Sequence, residues 1–211
     1  MRVLIGFVLI SFCFACAASP VKTETPPVFA VSMKDGYVVA YNTENTSFSY
    51  IVPGKNLSLR QDKEVLFFFG TDPVIQQKNT PLFFIMNAEE IKNTPNEQIL
   101  RKYMSWEFAL RNSMFGNVLE LGKNALFDST SSPWLLWSYR PVSLKNTSPS
   151  KSIEYVVLAA RLKDILCVFE TVISGESDRT AGIENLKEVA ASITLYDHPI
   201  STGEIKHMFA S

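Results

Sequence analysis

Histidine is almost missing from this chain: His198 and His207, both near the C-terminus, are the only two. The body therefore offers no Ser–His or Cys–His nucleophilic pair and no His-rich zinc site. Cysteine is nearly as scarce. Cys13 and Cys16 sit in the N-terminal apolar stretch, which leaves Cys167 alone in the body and no internal disulfide there. Cys167 lies in the apolar run Ile165-Leu166-Cys167-Val168-Phe169 with no basic neighbour, so it reads as a buried, inert thiol. No glycine loop of the phosphate-cradling kind is present. Neither is a block of one charge: 20 Lys and Arg stand against 21 Asp and Glu, for a net charge of −1, and no basic face suggests nucleic acid.

The acidic residues are also poorly placed for chemistry. Carboxylate catalysis needs two acids converging on one cleft. Glu89-Glu90 is the one adjacent acidic pair of the body and reads as a solvated turn. Ser174-Gly175-Glu176-Ser177-Asp178 lacks the alternating spacing of a calcium loop. Negative charge ahead of a helix explains it better. The expectation is a non-enzymatic protein with no cofactor and no metal.

What the chain does have begins at its N-terminus. Arg2 precedes an apolar run from Val3 to Ile10, followed by Ala15, Ala17, Ala18, Ser19 and Pro20. The run is shorter than the ~20 residues of a membrane span and closes on small residues, which is the layout of a secretory signal peptide. Two processing readings stand side by side. Ala15-Cys16-Ala17 suits cleavage before Ala18. Cys13-Phe14-Ala15-Cys16 resembles a bacterial lipoprotein box, with Cys16 as the acylated N-terminus. Contact with a membrane is expected only through such an anchor at Cys16. Residues 1–17 are assigned to the signal, 18–35 to a flexible Pro- and Thr-containing leader, 36–197 to one folded domain and 198–211 to a frayed tail.

Within the domain, Tyr37–Tyr41, Ser47–Ile51, Val65–Phe69 and Leu82–Met86 read as strands, with 70–81 as the loop before the last. Thr94-Pro95-Asn96-Glu97 opens a helix. Ile99, Tyr103, Trp106 and Leu110 fall on one face, flanked by Leu100 and Met114, while Lys102, Glu107 and Arg111 face away. On this spacing Trp106 is a core anchor. Val118–Phe127 and Trp134–Tyr139 are further strands. Ile153–Leu162 and Ile165–Ile173, broken by Lys163-Asp164, form a tight hairpin. A second helix spans 180–194, with Ile183, Leu186, Ala190 and Ile193 as its apolar face. Strands joined by short links rather than helices call for antiparallel pairing. The expected class is α+β, an antiparallel sheet with helices packed against it.

This order resembles the PsbP-like fold. The resemblance rests on Tyr41-Asn42 leading into Ser47-Phe48-Ser49-Tyr50-Ile51-Val52-Pro53, then Val65-Leu66-Phe67-Phe68, with Asp164–Val172 and Ala191-Ser192-Ile193-Thr194-Leu195 closing the chain. It implies an α/β/α-like sandwich built on an antiparallel sheet and used to dock onto other proteins. It carries no site residues over.

Trp134, Trp137, Tyr139 and Arg140 form the most suggestive cluster, because Trp, Tyr and Arg dominate binding hot spots. They are the candidate partner or ligand surface. The expected function is an exported interaction module that binds another protein of the cell envelope. The alternative is a small-ligand binder with an apolar pocket lined by Trp106, Phe84 and Trp137.

Overall fold

Val28–Met33 (β1) and Gly36–Asn42 (β2) form a hairpin that turns through Lys34-Asp35. Gly36 has φ +149°, and a Cβ there would lie 2.2 Å from Val52 O, so the turn requires glycine. In this computed structural model residues 28–209 are described, apart from 55–56, 63–64, 70–73, 83–84, 118, 128–131, 143–152 and 175. Ser47–Pro53 (β3) pairs with β2, and the short Thr194–Tyr196 (β11) closes a four-stranded sheet in the order β1-β2-β3-β11.

A second sheet has seven strands. Ser58–Asp62 (β4), Val65–Phe69 (β5), Ile75–Pro81 (β6), Leu119–Phe127 (β7), Trp134–Pro141 (β8), Glu154–Leu162 (β9) and Ile165–Ile173 (β10) lie in the order β4-β5-β6-β10-β9-β8-β7. Every pairing is antiparallel. The helices are Ala88–Asn93 (α1), Asn96–Met114 (α2), Glu176–Ala191 (α3) and Thr202–Met208 (α4). The class is α+β, antiparallel sheets with helices packed against them.

Strand alternation sorts the core into three layers. Val39, Phe48, Tyr50 and Val52 of the small sheet meet Phe68, Cys167 and Phe169 of the large one, with Leu186 and Val189 of α3 in the same cluster. The opposite face of the large sheet, including Trp137, Tyr139 and Val157, receives Ile99, Leu100 and Tyr103 of α2. Val38 and Ala40, on the outer face of the small sheet, are covered by Ile200 and by Ile205 of α4. Asn42 fixes this last layer: its Nδ2 donates to Ile200 O (2.9 Å), and Ile200 N donates to its Oδ1 (2.8 Å).

Several expectations are corrected. Residues 28–33, read as flexible leader, form β1, because Phe29 and Val31 pack on the outer layer while Val28 and Ala30 pack on the central one. The tail beyond His198 contains α4, held by a Ser201–Glu204 capping box. The loop expected over 70–81 holds β6, and of the strand expected at Leu82–Met86 the described residues form a turn: Ile85 N and Met86 N both donate to Leu82 O on the way to α1, while 83–84 lie outside the described residues. Two polar residues of β6 are answered from afar. Gln77 accepts from Tyr50 Oη at 3.1 Å, and Lys78 pairs with Glu107. The Glu89-Glu90 turn is the first turn of α1, whose N-cap is Asn87.

Candidate functional site

β8 supplies both cores rather than a surface. Trp134 faces the central layer, its ring 6.0 Å from that of Phe169. Trp137 and Tyr139 face α2 and are fully buried, with Tyr103 packed edge-on to Trp137 at 5.9 Å. Arg140 alone points outward, where it pairs with Glu120 at 3.2 Å. A partner could reach the three aromatic residues only by opening the core. Cys16 and Phe84 lie outside the described residues, and Trp106 and Trp137 sit on the outer and inner sides of Tyr103.

Tyr139 belongs to a buried polar cluster that ties α2 to the large sheet. Arg111 grips Glu170 of β10 with two prongs, Nη1 to Oε1 at 2.8 Å and Nη2 to Oε2 at 2.6 Å. Its Nε donates to Glu107 Oε1 at 2.9 Å, and Lys78 Nζ reaches the same oxygen from β6. Tyr139 Oη donates to Glu170 Oε1 at 3.1 Å and accepts from Arg111. Burial works to raise the Glu107 pKa, but the charges of Lys78 and Arg111 outweigh it, and the group lies below the ordinary carboxylate range. Burial likewise works against the charge of Arg111. The carboxylate of Glu170 more than reverses this and holds the guanidinium protonated. Burial, then Glu170, pushes the Tyr139 phenol up. Two anions face two cations here, so the cluster is neutral as a unit and acts as a clamp. The Tyr103 phenol, one helical turn before Glu107, is buried beside that carboxylate, and burial first and then Glu107 hold it well above its ordinary pKa. Among the described residues no group of three or more His, Cys, Asp or Glu is placed to hold a metal ion.

This clamp sets the rotation of α2. Glu107 faces inward, although its spacing suggested solvent, so the apolar row beside it turns outward. Trp106 is 39% exposed, Leu110 47% and Met114 78%. Next to this row lie Ser105, Ala109 and Ser113, all exposed. The six residues carry no charge over nearly three turns, whereas a solvated helix face is normally polar or charged. α2 lies over β7, β8 and β9. On the same side of the sheet, β5 presents Phe67 and the exposed Phe69, with rings stacked at 6.3 Å. The apolar outer side of α2 is the candidate interaction surface. The lone signal for it in the sequence was Met114 falling beside, rather than on, the expected core face.

No known family profile matches the sequence, and no curated protein does. Similarity appears in the fold. The solution structure of cyanobacterial PsbP (CyanoP) from Synechocystis sp. PCC 6803 superposes with a TM-score of 0.51 at 11% identity, covering 79% of this chain and 95% of that one. The fold is PsbP-like. The Ran-binding protein Mog1p of Saccharomyces cerevisiae superposes more loosely, with a TM-score of 0.44 at 10% identity over 74% of this chain and 92% of its own. The PsbP-like likeness spans most of the described body and establishes architecture alone. Among the described residues no helix is long and apolar enough to cross a membrane.

Proposed function

We propose that this chain is an exported, non-enzymatic protein-interaction module of the cell envelope. In this reading it is released by cleavage before Ala18 or tethered through an acylated Cys16, and it docks through the outer side of α2. The observation that carries the reading is the uncharged, exposed row Trp106–Leu110–Met114 on the half of α2 whose charged residues, Glu107 and Arg111, are turned inward. The signal-like N-terminus supports export, and the inward pairing of Glu107, Arg111 and Lys78 supports a scaffold that displays a surface rather than a catalytic centre.

Photo-crosslinking in the native host tests it. A photoreactive residue at Trp106 or Leu110 is expected to yield discrete protein adducts, and one at Glu188, on the exposed side of α3, is expected to yield none. Equal labelling from both helices, or none from α2, overturns the reading. Intact mass of the N-terminal peptide separates the two forms: acylated Cys16 marks the tethered protein, and a start at Ala18 the released one.

A further inference from the structure

We propose that the outer face of the small sheet is a peptide-binding groove, and that residues 197–209 are its internal ligand, exchangeable for the same segment of a second copy. The small sheet covers one face of the large sheet and α2 the other. The proposal therefore stands apart from the docking role given to α2.

The groove is built from alternate residues of the small sheet. Val38 and Ala40 form its floor, Phe29 and Val31 of β1 line one side, and Ile51 of β3 and Tyr196 of β11 line the other. At its end Asn42 clasps Ile200, donating to the carbonyl at 2.9 Å and accepting from the amide at 2.8 Å. A side-chain amide that pairs with both backbone groups of one residue reproduces the ladder bonds of an added strand. Main-chain bonds beside pockets for apolar side chains are how sheets recognise peptides.

The segment is shaped like a ligand. Ile200 and Ile205 are its two fully buried residues, while 201–203 and 206–208 are exposed. The polar contacts that shape it are internal. His198 bonds Asp197 at 2.8 Å and Glu204 at 3.0 Å, and Ser201 N donates to Glu204 at 2.7 Å. Lifting the segment off the sheet breaks none of these bonds. A preorganised segment docks at little ordering cost. Its joints to the sheet are the two isoleucines, the Asn42 clasp, and Tyr196 Oη to Met208 Sδ at 3.8 Å.

The occupant is thus read from the structure itself. A second copy presents the identical segment, and exchanging an identical element between protomers keeps every contact and alters only the linker.

The test uses full-length protein and a labelled synthetic peptide of residues 197–209. Ile205→Asp puts a charge against the groove floor and frees the groove from its own segment. This variant is expected to bind the peptide in the micromolar range. Wild type is expected to bind it on the order of a hundredfold more weakly, because a tethered segment competes at about millimolar effective concentration. Peptide carrying Ile205→Asp is expected not to bind. Adding Asn42→Leu to the variant is expected to weaken binding about tenfold or more. A folded variant that takes up no peptide, takes up both peptides alike, or ignores Asn42→Leu overturns the groove.

Full chains test the second copy as donor. Ile205→Asp has an open groove and a spoiled segment, whereas Asn42→Leu has a weakened groove and an intact segment. Sedimentation of an equimolar mixture at several hundred micromolar is expected to show a heterodimer that neither variant forms alone. Peptide uptake without that heterodimer overturns exchange between copies.

Wild type supplies a measurement that stands whether or not Ile205→Asp folds. The amides of Ile205 and Phe209 bond Ser201 O and Ile205 O within α4. Their hydrogen exchange is expected to run faster than that of β2 and β3, and to quicken further in millimolar peptide while the sheet is unchanged. Amides of α4 as slow as the sheet, or unmoved by the peptide, overturn the proposal.

Discussion

Arg111 and Glu170 are 59 residues apart in the chain and meet in a two-pronged ion pair, 2.8 and 2.6 Å, between the C-terminal half of α2 and the central strand of the large sheet. Paired forks of this kind fix orientation as well as distance. The contact decides which side of α2 is buried, and hence which side is offered to a partner.

Removing one member of the cluster leaves uncompensated charge in the interior. Arg111→Ala is expected to destabilise the fold by about 3–5 kcal/mol, because Glu170 loses its cation and Glu107 keeps only Lys78. The double replacement Arg111→Met with Glu170→Leu is expected to cost less than Arg111→Ala alone, since it strands no charge. Urea unfolding of the three proteins measures this, and a larger loss in the double variant would contradict it.

Acid should act through Glu107. Its folded pKa lies below the ordinary value of 4.5. A group lowered in this way contributes its full stability above the unfolded pKa and loses it as pH falls through the folded one. Urea midpoints are expected to hold above pH 4.5 and to drop below it. Glu107→Gln should lower the plateau and flatten that acid limb.

His198 should act in the opposite direction. Hydrogen bonds to Asp197 and then Glu204 raise its pKa above 6.5. Its contribution to seating α4 is complete below the unfolded pKa and is lost as pH rises through the folded value. Hydrogen exchange of the α4 amides is expected to quicken across that rise in wild type, and to show no such step in His198→Gln.

Cys167 should be silent to thiol reagents in the native protein. It is fully buried, and burial pushes the thiol far above its ordinary pKa of 9.0. Labelling is expected to follow global unfolding. Fast labelling at neutral pH would mean that the central layer opens locally.

The three tryptophans should divide by solvent access. Trp106 is expected to carry nearly all fluorescence quenching by a polar quencher, because Trp134 and Trp137 are buried. Trp106→Phe should abolish most of the quenchable signal, and loss of that signal on association would mark the α2 face as covered.

Legibility in the sequence followed the range of the interactions. β2, β3 and β5 were readable because their apolar residues alternate or cluster locally. The β9–β10 hairpin was readable because Lys163-Asp164 interrupts two apolar runs, and Lys163 indeed takes φ +55° at the turn. β6 was not readable. Gln77 is buried only because Tyr50, 27 residues away, donates to it, and no local pattern announces that. α2 was legible as a helix and misread as a surface. Spacing alone centred its buried face near Trp106, and the distant cations and anions around Glu107 and Arg111 turned it away. Trp134, Trp137 and Tyr139 were read as a candidate partner or ligand surface, and their neighbours on β9 and β10 make them core.

The amino-acid order by itself determined the confinement of histidine to His198 and His207 and an α+β class of antiparallel strands. These depend on composition and on periods of two and 3.6 residues, which are properties of neighbours in the chain. The tertiary structure alone decided that there are two sheets, that residues 28–33 and 202–208 join the fold, and which face of α2 meets solvent. The face of α2 and the seating of the C-terminal segment turn on polar groups far apart in sequence, because a buried charge or amide is tolerated only where the fold brings its partner, whereas residues 28–33 join through apolar packing.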